Sequence, residues 1–159
     1  MKLNNFREDD SAVSITIGFI LTFSITVIIL MTVLSSFYSL MDKAEETVMR
    51  DEFEIHGNDI AVRIATIDTM VGTAVDSGSD VGELRYKISL PDKIAGKTYS
   101  VEFVNSTRDI VFISEERSGT IVKVPYYAEN TVVLSTTIHS PKAEFVIRYD
   151  PGAEAIIIS

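Results

Sequence analysis

The chain has no cysteine. Neither a disulfide framework nor thiolate chemistry is available to it, and the absence carries no direct evidence about redox compartment. Tryptophan is missing too, which removes the strongest aromatic anchor for a carbohydrate or an interface. Only two histidines occur, His56 and His139, and neither has ligand spacing around it. Each reads as a surface or capping residue, and no metal or other cofactor is expected. No G-x-S-x-G, P-loop or G-x-G-x-x-G pattern is present, and no nucleophile, base and orienter can be nominated, so the reading is non-enzymatic. Positive charge is scarce: 14 Lys and Arg face 23 Asp and Glu, a net charge of −9. An acidic surface repels nucleic acid and anionic headgroups, so no nucleic-acid partner is expected.

The longest absence is of charge. From Ser11 to Met41, thirty-one consecutive residues carry none and are dense in Ile, Leu, Val and Phe. A bilayer core of about 30 Å needs roughly 20 apolar residues at about 1.5 Å rise each. The run exceeds that by about half. It is too long for the apolar core of a secretory signal, about 7–15 residues, and no A-x-A-like exit follows it. A buried core helix is the other option, but the rest of the chain has too little helix to wrap one. A membrane-inserted helix is therefore expected over 11–41, behind a polar tail over 1–10. No ionisable residue lies within the span, so no ion path or proton relay is expected. Ser14, Gly18, Thr22 and Thr26 recur every fourth residue and form one line of small side chains. Such a line suits close packing against a copy or a partner helix; the other reading is that the hydroxyls bond their own preceding turn.

Beyond Met41 the chain turns polar while the helical period continues. Met41, Ala44 and Val48, then Met49, Phe53, Ile60, Ile64, Ile67 and Val71, follow a 3–4 spacing among Glu45, Glu46, Arg50, Asp51, Glu52, Glu54, Asp59 and Arg63. The pattern predicts an amphipathic helix over 42–73, weakened at His56-Gly57-Asn58 and ending near Gly72. A loop is expected over 74–83. From Leu84 the period becomes two, and short β-rich runs are separated by turn signals: 84–90, 99–103, 110–114, 120–124, 131–138, 145–149 and 155–158. Asp150-Pro151-Gly152 suits a type II turn with positive φ at Gly152. The expected fold is α+β: a long N-terminal helix, then an antiparallel sheet or small sandwich of about seven strands over 84–159, with the amphipathic helix across one face.

The loops hold few candidates. Asp76, Asp80 and Glu83 cluster in a Ser/Gly loop and could meet Ca²⁺, but the spacing departs from the EF-hand pattern and acidic loops are mostly solvated. Glu115-Glu116 reads as a solvated turn. Asn105-Ser106-Thr107 is an N-glycosylation sequon in an expected inter-strand loop. Tyr126-Tyr127 reads either as an exposed contact or as packing over the sheet edge.

The stretch Asp9-Asp10-Ser11-Ala12-Val13-Ser14-Ile15-Thr16-Ile17-Gly18, with the apolar helix behind it, resembles archaeal type IV pilin-like proteins, including the pilin-derived stator subunits of the archaellum. The likeness is specific over roughly Asp9–Leu40 and architectural over the rest. It implies a non-enzymatic, single-pass subunit of a cell-surface assembly, N-terminus cytoplasmic and β head extracellular. The partners it implies are the membrane, other pilin-like subunits or copies of itself through the helix, and surface-layer protein. Asp10, Ser11 and Ala12 mark the candidate processing point. Asp10 stands where the peptidase prefers a basic residue, which favours a minor or anchored subunit over an abundant pilin; the early glutamate of bacterial pilins is also absent. Lys2 and Arg7 are nearly balanced by Lys43 and Arg50, so orientation rests mainly on the resemblance. The alternative is a singly anchored surface binding, adhesin or sensor module outside any filament.

Overall fold

The computed structural model describes residues 5–115, 119–140 and 144–159, with side chains from Val13 onward. Its class is α+β. One helix, α1, spans Asn5–Asp76 (72 residues), and eight strands follow. The chain divides into two compact units, Met1–Ala44 and Glu45–Ser159.

In the first unit α1 is one helix long and apolar enough to cross a membrane, with an 18-residue window of mean hydropathy 2.6 and none of it buried. Eighteen large apolar residues between Val13 and Met41 are exposed, from Leu34 and Met41 at 46% to Ile15 at 74%.

In the second unit the same helix turns one face inward. Met49, Phe53, Ile60, Ile64, Ile67 and Val71 are at most 2% exposed, whereas Val48, at 50%, lies off the buried stripe. The helix passes His56-Gly57-Asn58 and Gly72 without a break and ends four residues later than its sequence suggests. Both glycines are contact points: an added Cβ would lie 2.5 Å from Val124 Cγ2 at Gly57 and 2.5 Å from Asn130 Nδ2 at Gly72. Each lacks a side chain because another element occupies that space, and packing outweighs the roughly 1 kcal/mol propensity cost of glycine. The stop signal is Gly78, at φ +69°. Ser79 N–H donates to Ala74 O at 2.9 Å and Gly78 N–H to Val75 O at 3.0 Å, the paired bonds of a Schellman cap.

The strands are β1 Leu84–Ser89, β2 Tyr99–Val104, β3 Asp109–Ser114, β4 Ile121–Pro125, β5 Val132–Val133, β6 Thr136–His139, β7 Glu144–Asp150 and β8 Ala155–Ile158. They form two four-stranded sheets, β1-β7-β8-β5 and β4-β3-β2-β6. The second is antiparallel throughout, and the first is mixed because β5 runs parallel to β8. The expected count of seven becomes eight because the run 131–138 crosses between sheets. Val132 and Val133 pair with β8, Leu134 N–H bonds Ile156 O, and from Thr136 the chain pairs with β2. β-branched composition marks that run as extended but cannot show a change of partner within it.

The two sheets and the helix share one core. Phe53 meets Tyr99 at 5.5 Å and Phe112 at 5.1 Å between ring centroids, tying α1 to β2 and β3, and Phe103 on β2 meets Phe145 on β7 at 6.5 Å. Burial, and then the negative charge of Asp92, push the Tyr99 phenol up to about 12, and its hydroxyl donates to Pro91 O at 2.6 Å. The β7–β8 turn also differs from the expected type II. Asp150 Oδ1 accepts Gly152 N–H at 2.9 Å, and the left-handed residue is Glu154 at φ 49°, so Gly152 is not the positive-φ position.

Candidate functional site

Chemistry-bearing side chains do not converge anywhere in the described residues, and no group of three His, Cys, Asp or Glu could hold a metal ion there. Glu83 pairs with Arg85 at 2.8 Å and with Arg148 at 3.6 Å. His56 Nε2 stands 3.5 Å from Glu52 Oε2 one turn back on α1. His139 ends β6, with Nδ1 2.9 Å from Glu115 Oε1. Glu116 falls outside the described residues, as do the side chains of Asp10, Ser11 and Ala12. Tyr126 and Tyr127 part company: Tyr126 is 5% exposed and Tyr127 56%.

What the second unit does build is a clasp between helix and loop. Asp68, 1% exposed, is the one charge between Arg63 and Asp76 on α1. Its Oδ1 accepts Asn130 N–H at 2.8 Å and Thr131 Oγ1–H at 2.9 Å; its Oδ2 accepts Glu129 N–H at 3.0 Å and Asn130 Nδ2–H at 3.1 Å. Burial pushes this carboxyl up, but the four donors together outweigh it and hold it below the ordinary carboxylate range. Gly72 leaves room for the Asn130 amide, which also donates to Asp68 O at 3.3 Å. The sequence signal for this site was a lone acid inside an apolar helical stretch, a pattern that predicts a buried and fully bonded carboxylate.

The other feature is a helix face left largely open among the described residues, reached only at its margin by the Tyr86 hydroxyl, 3.8 Å from Met70 Sδ. Val62, Ala65, Thr66, Thr69, Met70 and Thr73 line a shallow groove of about 710 Å³. Val62 is 64% exposed and Met70 46%. The hydroxyls there are already used: Thr66 Oγ1 donates to Val62 O at 2.7 Å, Thr69 Oγ1 to Ala65 O at 2.8 Å and Thr73 Oγ1 to Thr69 O at 2.8 Å. The face presents methyls and can be dried without leaving a donor unpaired.

The small-residue line in the first unit behaves alike. Thr22 Oγ1 donates to Gly18 O at 2.9 Å and Thr26 Oγ1 to Thr22 O at 2.8 Å, with Ser14, Gly18, Thr22 and Thr26 all exposed. A Cβ at Gly18 would meet nothing within 4 Å. The two threonine hydroxyls therefore bond the preceding turn, and the line stays open to a neighbouring helix. Asn105 lies exposed in the β2–β3 turn.

No curated protein and no solved structure matches the chain. Over residues 8–159 it matches a family of unknown function (DUF7266), and to that family the chain belongs.

Proposed function

We propose that this chain is a non-enzymatic, membrane-anchored, pilin-like subunit of a cell-surface assembly, its apolar helix serving for anchoring and helix packing and its β head standing outside the cell. The observation that carries this reading is the bare helix. Eighteen large apolar residues lie exposed between Val13 and Met41. At about 1.5–3 kcal/mol each, leaving them in water costs tens of kcal/mol, against a net folding stability of about 5–15 kcal/mol for a whole domain. Lipid or neighbouring helices must cover them. The pilin-like element of the reading is supported by the resemblance over Asp9–Leu40, and the subunit role by two charge-free faces of α1 whose threonine hydroxyls bond their own helix. Surface-layer protein is the proposed partner of the head.

The cysteine-free chain allows a direct test of assembly. Thr69→Cys places one thiol on the open face, and mild oxidation of membranes is expected to give a cross-linked dimer, while Lys123→Cys on β4 gives none. Absence of the Thr69→Cys dimer would favour the second reading, a singly anchored binding or sensor module. That reading has its own observation, because Tyr127, Val132 and Leu134 are 56%, 50% and 44% exposed on the head.

A further inference from the structure

We infer that Asn105 is an N-glycosylation site of the head, a proposal that rests on the extracellular placement above. Asn105, Ser106 and Thr107 are consecutive, exposed residues of the β2–β3 turn. Arg108 N–H donates to Asn105 O at 3.3 Å and closes that turn, with Arg108 taking the left-handed conformation at φ 56°. The backbone of Asn105 is pinned from below, its N–H donating to Ser135 Oγ at 3.1 Å. Its side-chain amide bonds no described residue, so Nδ2 stands free on a rigid support. The co-substrate is a lipid-linked oligosaccharide. In the transfer the sugar C1–O bond to the lipid phosphate breaks, a C1–Nδ2 bond forms, Nδ2 gives up one proton, and the lipid phosphate or diphosphate leaves.

The test is mass spectrometry of the full-length protein from its native membranes, beside protease treatment of intact cells. Trypsin cleavage after Lys97 and Arg108 releases Thr98–Arg108. The expected result is that this peptide carries the added mass of whole sugar residues on Asn105, and that Thr107→Ala, which keeps Asn105 but breaks the sequon, removes it. An unmodified peptide from a head that protease reaches on intact cells overturns the glycan and leaves the anchored subunit standing. An unmodified peptide from a protected head overturns both the glycan and the orientation.

Discussion

Asp68 shows how much one buried carboxylate can organise. Four donors from Glu129, Asn130 and Thr131 meet it, and hydrogen bonds to a charged group are worth about 1.5–3 kcal/mol each when one partner is removed. Asp68→Asn turns an acceptor oxygen into a donor facing other donors. It is expected to cost about 2–4 kcal/mol of head stability at neutral pH, read from urea midpoints. The pH dependence has a definite sign. Because the folded carboxyl sits below its ordinary value of 3.8, its stabilisation is fully present above that value and is lost as pH falls through the lower, folded one. Wild type and Asp68→Asn should therefore differ most near neutrality and converge as pH falls through the lowered carboxyl value of the folded state. A difference that stays constant across that range would mean that the carboxylate's charge contributes nothing.

At the scale of the element, the two glycines of α1 decide where it touches the strands. Gly57→Ala would raise helix propensity by about 1 kcal/mol, yet the new methyl would meet Val124 Cγ2 at 2.5 Å. Overpacking of that kind costs about 1–3 kcal/mol, so a net loss of stability is expected in chemical unfolding. A stabilised variant would show that the helix does not approach β4 there. Both glycines were legible in the sequence only as helix breakers, because propensity is a local signal and close approach is not. The same limit explains the missed sheet change at Leu134-Ser135 and the missed role of Asn130. What alternation and period could reveal, they did: the stripe Met49–Val71 is buried, and the runs at Leu84, Tyr99, Ile110 and Phe145 are strands. The candidate surfaces divide similarly. The Ser14–Thr26 line could be read from spacing alone, whereas the Val62–Thr73 face is defined by what fails to cover it. A Gly18→Leu change, adding bulk where nothing now lies within 4 Å, is expected to weaken helix self-association in detergent; unchanged association would remove that line from the interface.

For the whole molecule, the division at Ala44 and Glu45 separates a part that avoids water from a part that carries its own core. Residues 45–159 are expected to fold and remain in solution as a separate fragment, because the core residues of α1 all lie within it. A fragment of 84–159 should not fold, since it loses six core side chains from Met49 to Val71 and leaves the Glu129 and Asn130 backbone donors without Asp68. Circular dichroism and urea titration distinguish the two. Anchoring itself is tested most directly by fractionating cells that make the full-length chain and washing the membranes at alkaline pH. The account predicts that the protein stays with the membrane and leaves it only in detergent; a full-length protein found as a monomer in the detergent-free supernatant would contradict it.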